Sequence, residues 1–159
     1  MKLFIILIVC FLGLEVSAQI DNISSYIKNK FGDEIPFQSL TDIGGAVIGE
    51  VNSNTLLISN YRYKDVHYMM LELENKEFAI GEPYDVLKIK PSKKQGIIYG
   101  VCRSNQITNS KIIALVNYDE AHVEYFKNVI EAWIVNEETM KFEVYPIESV
   151  DCENLDYGL

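Results

Sequence analysis

From residue 46 to residue 118 the chain repeats one local pattern: a run rich in β-branched and aromatic residues, then a short cluster of turn formers. The runs cover 46–51, 55–63, 67–73, 77–80, 84–90, 97–103 and 111–118. Between them stand Asn52-Ser53-Asn54, Lys64-Asp65, Glu74-Asn75-Lys76, Gly81-Glu82-Pro83, residues 91–96 and residues 104–110. Parallel strands need a crossover of about a dozen residues or more, usually helical, and these separators offer none. The pattern predicts an antiparallel meander of about seven to nine strands, sandwich- or barrel-like.

The flanks extend this pattern. Ile23, Tyr26, Ile27 and Phe31 recur at helical spacing, Asp21 or Asn22 can cap the start, and Gly32 sits where a left-handed residue would end the helix. A helix with one apolar stripe must lie on something, so it is expected to pack on the meander. Residues 33–45, with Pro36 and Gly44-Gly45, read as an irregular connection. Residues 132–136 and 141–145 read as a further hairpin around Glu137-Glu138-Thr139-Met140. That turn predicts positive φ near Met140, where glycine is the usual choice, so Met140→Gly is expected to stabilise. Residues 119–130 fit two periods, and a short helix or turn through about Asn128 followed by a strand reconciles them. Residues 147–159 read as an acidic tail. The expected fold is mainly β (α+β), a single domain over 19–159 without repeats or low-complexity tracts.

The first eighteen residues do not belong to that pattern. Lys2 precedes the apolar run Leu3 to Leu14, and small residues follow at Val16-x-Ala18, the order of a removable secretion signal. The run is too short for a membrane span of about 20 apolar residues. Cleavage after Ala18 is expected to leave one exported domain, in the periplasm or outside the cell, with no membrane insertion. Cys10 leaves with the signal. Cys102 and Cys152 remain, an even pair in an oxidising setting, and are expected to form a disulfide.

Charge restricts the partners. The chain carries a net −9 at pH 7, and such a field repels phosphate backbones and anionic lipid while favouring a basic protein. Chemistry is harder to place. There is no G-x-S-x-G, no P-loop and no HExxH motif, and no cofactor or catalytic residue is assigned. Gly96 and Gly100 read as relief of crowding or as a bulge rather than a phosphate loop. Asp119, His122 and Glu124 could hold a divalent cation in a loop, although their spacing is neither that of HExxH nor that of an EF-hand loop and solvated loop charge explains them equally well. Tyr61, Arg62, Tyr63 and Tyr68 flank one turn and could gather at a rim, because tyrosine and arginine dominate binding hot spots.

Ala132-Trp133-Ile134-Val135-Asn136, Thr139-x-Lys141-Phe142-Glu143 and Cys152-Glu153-Asn154 with Tyr157-Gly158 resemble the C-terminal quarter of uncharacterised small secreted bacterial proteins. Those proteins usually carry glycine where this chain has Met140. The resemblance implies a bacterial envelope or extracellular setting and supplies no activity. Together these features predict a non-enzymatic exported protein-binding domain of inhibitor or immunity type. The alternatives are a cation-binding domain or metal-dependent enzyme centred on 119–124, and a structural subunit of an envelope assembly.

Overall fold

The computed structural model describes residues 23–75, 80–118 and 123–157; the expected signal at 1–18, the caps Asp21 and Asn22, and Asp119 and His122 lie outside them. The chain divides into two compact units, one up to Thr41 and one from Asp42 onward. In the first, a helix covers residues 23–31. Its stripe is as expected, with Ile23 and Ile27 buried and Ser25, Lys28, Asn29 and Lys30 exposed. Gly32 ends it at φ 72, its N–H donating to the Lys28 carbonyl at 2.8 Å. A 3-10 turn over Phe37–Ser39 follows.

The second unit is built from twelve strands in three antiparallel sheets, counted among the described residues. The first sheet is a meander of β1 (Thr41–Val51), β2 (Asn54–Tyr63), β3 (Val66–Asn75) and β4 (Ile80–Ile89). The β1–β2 turn puts Asn52 at φ 50 and Ser53 at φ 67, the paired left-handed geometry that suits the twist of a two-residue hairpin. Strand β3 is buried on both faces: Tyr68, Met69, Met70, Leu71 and Glu72 are buried consecutively.

The second sheet has the order β11 (Lys141–Val144), β10 (Val129–Asn136), β8 (Ile112–Asn117), β5 (Gln95–Tyr99). The third, made of much shorter pieces, has the order β7 (Ile107–Thr108), β6 (Cys102–Ser104), β12 (Val150–Glu153), β9 (Tyr125–Phe126). Strand β8 joins the cores. Ile113 and Leu115 pack with Leu56, Ile58, Met69 and Leu71 of the first sheet. Ile112, Ala114 and Val116 point the other way, into a cluster with Val129, Ala132, Phe126, Val150 and the two cysteines. A strand whose alternate residues feed two cores has no solvent face, which is why residues 112–116 carry no polar side chain.

Several boundaries differ from the sequence reading. Strand β1 begins at Thr41, not 46, because Gly44 (φ 115) and Gly45 are inside the strand; a Cβ on Gly45 would sit 2.6 Å from the Ile58 carbonyl oxygen. Gly81-Glu82-Pro83 is not a turn. It lies within β4, an edge strand, where a register shift opposite Leu71/Glu72 accommodates a proline that a central strand would reject. The run 97–103 is two strands, because Gly100 at φ 80 turns the chain from the second sheet into the third. Residues 123–128 contain β9 rather than a helix, and the acidic tail contributes β12. These short pairings raise the strand count above the expected seven to nine.

The 132–145 hairpin forms as expected, with Asn136 opposite Lys141 and Met140 at φ 52. Met140 also packs against the first core, and this reverses the expected sign for Met140→Gly. Relief of the left-handed conformation is worth about 1 kcal/mol, whereas truncating a packed methionine costs about 2 kcal/mol or more. The variant is expected to lose about 1 kcal/mol in urea denaturation, and a raised midpoint would show that the Met140 side chain contributes little.

Candidate functional site

The turn between β2 and β3 brings most of the expected tyrosine–arginine set together. Lys64, at φ 55, and Asp65 connect the strands, and the register places Tyr61 opposite Tyr68, Arg62 opposite His67 and Tyr63 opposite Val66. Alternation then separates the set. Tyr61, Tyr63 and Tyr68 share one face of the sheet, and Arg62 lies on the other with His67. Strand β4 completes the rows, with Lys88 beside Tyr68 and Ile89 beside His67. Tyr68 is only 2% exposed, so it anchors the sheet beneath the rim. Tyr61 and Tyr63 are half-buried and Arg62 is exposed.

Local contacts fix this end. The Lys64 ammonium lies 4.9 Å from the centroid of the Tyr63 ring. Lys90 Nζ pairs with Asp65 Oδ2 at 2.9 Å, tying the turn to the end of β4. The buried Asn60 side chain sits 2.9 Å from His67 Nδ1. Burial lowers the His67 pKa, and the Arg62 charge lowers it further. Through its contact with Asn60, His67 ties β3 to β2.

A polar cluster lies on the tyrosine face just behind the rim. Ser59 Oγ donates to Glu72 Oε2, and the Tyr61 hydroxyl shares a hydrogen bond with Ser59. Burial pushes the Tyr61 pKa up to about 12, and the negative charges of Glu72 and Asp42 add to that. Glu72 is buried and its Oε1 has no hydrogen-bond partner. Its carboxyl is raised above the ordinary value by burial, with a smaller contribution from Asp42 and Glu74. Asn60, Glu72, Lys64, Lys88 and Lys90 were missed by the sequence reading. Lys88 and Lys90 flank Ile89 in the sequence, but nothing there aligns β4 with the turn.

Glu124, the one described member of the expected cation set, is exposed, and its carbonyl accepts from the Asn154 N–H at 2.9 Å. Among the described residues no group of three or more histidine, cysteine or acidic side chains is placed to hold a metal ion. Cys102 and Cys152 form a disulfide between directly opposed residues of β6 and β12, with Cα atoms 4.0 Å apart. Beside it Arg103 pairs with Asp151 and stacks 3.4 Å over the Tyr125 ring. No helix among the described residues is long and apolar enough to cross a membrane. The chain matches no family model, no curated protein and no solved structure.

Proposed function

We propose that this chain is an exported, non-enzymatic domain that binds another protein through the β2–β3 end of its first sheet. The observation that carries the reading is the placement of Tyr61 and Tyr63 on one face, and Arg62 on the other, of the strand end that leads into the short, braced turn at Lys64. Aromatic and arginine side chains on a rigid support lose little entropy on docking, which is why such residues supply hot spots. A two-layer, sandwich-like packing of the first and second sheets, joined through the core of Leu56, Ile58, Leu71, Ile113 and Leu115, would provide that rigidity. Export is supported by the apolar run after Lys2 and by the disulfide, which persists in oxidising compartments.

A photoreactive phenylalanine analogue at position 63 tests the reading in the producing cell. It is expected to give one discrete protein adduct, reduced about tenfold or more by Arg62→Ala. The same analogue at Val144, which is 84% exposed on β11, is expected to give none. Equal labelling from both positions, or none from 63, would overturn the assignment of this surface.

A further inference from the structure

An open groove of about 540 Å3 runs between the β6–β7 turn, the chain just past β9 and the chain leading into β12. Small-ligand sites commonly measure about 300–1,000 Å3. The groove is built on the third sheet, whereas the surface proposed above lies on the first. Its floor is apolar, with Val129 and Val150 buried and Ile147 38% exposed. Its rim is polar: Asn105, Gln106, Lys127 and Glu148 line it and are exposed. None of these four side chains has a hydrogen-bond or ion-pair partner among the described residues. The backbone holds the walls together, since the Asn105 N–H donates to the Ser149 carbonyl and the Val150 N–H to the Ile147 carbonyl, both at 3.0 Å.

The turn at the rim supplies a second observation. Asn105 has φ 51 and Gln106 φ 66, the paired left-handed geometry of a two-residue hairpin. Asparagine tolerates that region, but glutamine has no preference for it and glycine would be the low-cost choice. The fold gains no contact in return, because the Gln106 amide is bonded to no described residue. Backbone strain retained without a structural return is a mark of functional surface.

From the groove and its rim we infer a binding site for a short zwitterionic peptide, of dipeptide size, with aliphatic side chains. Lys127 meets the terminal carboxylate and Glu148 the terminal ammonium, as charge-assisted hydrogen bonds. The Asn105 and Gln106 amides each offer both a donor and an acceptor to the peptide unit, and the valines and Ile147 receive the side chains. Other ligand classes fit less well. A metal ion finds only one unpaired carboxylate, because Arg103 holds both oxygens of Asp151. Phosphate finds only one unpaired cation, beside Glu148, and a sugar finds no aromatic ring among the lining residues.

The test titrates leucyl-leucine into isotope-labelled protein. Amide resonances of residues 105–106, 127–129 and 147–151 should shift and saturate with a Kd of about 1 mM or below, a range open to a ligand of this size. Acetylating the peptide's amino end or amidating its carboxyl end should each weaken binding about tenfold, the scale of a lost hydrogen bond to a charged group. Glu148→Gln should erase the penalty of acetylation and keep that of amidation, and Lys127→Met should do the reverse. Gln106→Gly should weaken binding while raising the urea midpoint, because glycine relieves the left-handed residue; a merely structural Gln106 would alter stability alone. No saturable shift in the unaltered protein, shifts outside the groove, equal affinity for the blocked peptides, or undiminished binding by Gln106→Gly would overturn the inference. So would tighter binding of phosphate, Ca2+ or maltose than of leucyl-leucine. The protein-binding reading is untouched by either result, since its surface and its crosslinking readout lie on the first sheet.

Discussion

Replacing both Cys102 and Cys152 by alanine is expected to remove about 4 kcal/mol of stability, the chain-entropy value for a closed loop of about 51 residues. The native structure around the bridge leaves little to soften that loss. Both sulfurs are buried in the cluster of Ile112, Ala114, Val116, Phe126, Val129 and Val150, so truncation also leaves unfilled space. The ladder that would remain is short. Strand β12 pairs with β6 over Val150, Asp151 and Cys152, and with β9 over Cys152 and Glu153. The Arg103–Asp151 pair, the Glu153 N–H donating to the Val101 carbonyl at 3.2 Å, and Asn154, whose backbone N–H donates to the Glu124 carbonyl and whose amide donates to the Val123 carbonyl, both at 2.9 Å, also tie this segment to the rest of the unit. The variant should therefore unfold at a markedly lower urea concentration, and its amides at 150–154 should exchange before those of β3 and β8. A loss under about 1 kcal/mol, or unchanged exchange at 150–154, would mean that the third sheet holds through packing alone. Reductant should reproduce the effect in the parent and leave the variant unchanged.

The residues that made the first sheet legible are those whose burial follows period 2. In β2, Leu56, Ile58 and Asn60 alternate with less buried neighbours, and Asn52, at φ 50 in the preceding turn, is of a type that tolerates the left-handed region. Legibility failed where one strand changed its pairing or its sheet. Phe126, Val129, Ile130 and Trp133 fit a helical face as well as an alternating strand, and a register shift between Val129 and Glu131 against β8 accompanies that double fit. The shift inserts Ile130 and changes the phase of the alternation. Gly100 and Pro83 misled in opposite directions. The glycine looked like strand interior and is a corner between sheets, whereas the proline looked like a turn and is edge strand. Such assignments depend on which strand lies alongside, information that is not local.

The site was legible in part for the same reason. Tyr61, Arg62 and Tyr63 announce themselves by type and by adjacency to Lys64-Asp65. Whether Tyr68 joins them at the surface depends on what covers its face, and it is buried. Lys88 and Lys90 reach the turn only through the β3–β4 register, which a sequence reading that split β4 at Pro83 had no means to fix. Gly96 illustrates the converse, a local signal that succeeded. Its missing side chain leaves room for the Tyr118 ring, whose atoms lie within 2.0–2.2 Å of where a Cβ would stand.

Glu72→Gln is expected to stabilise the protein near neutral pH by about 2 kcal/mol, the scale of burying an incompletely paired polar or charged group. The carboxyl is buried, accepts one hydrogen bond from Ser59, and has its second oxygen unpartnered. Glutamine retains the acceptor toward Ser59 and places its amide nitrogen where Oε1 now stands, so no existing bond is lost. The sign with pH follows from the direction of the shift. Burial, with the charges of Asp42 and Glu74, raises the folded-state pKa above the ordinary value of 4.5. The folded state therefore holds its proton to higher pH than the unfolded chain does. That contribution is fully present below the unfolded pKa and is lost as pH rises through the folded one. Urea midpoints of parent and variant should accordingly converge near pH 4 and separate as pH increases. Ser59→Ala should move the separation to higher pH, because the Ser59 hydrogen bond is what favours the ionised form. A variant less stable than the parent at neutral pH, or a difference independent of pH, would show that Glu72 is ionised and compensated in the folded protein. The acidic cluster behind the tyrosine rim would then be a source of stability rather than a cost.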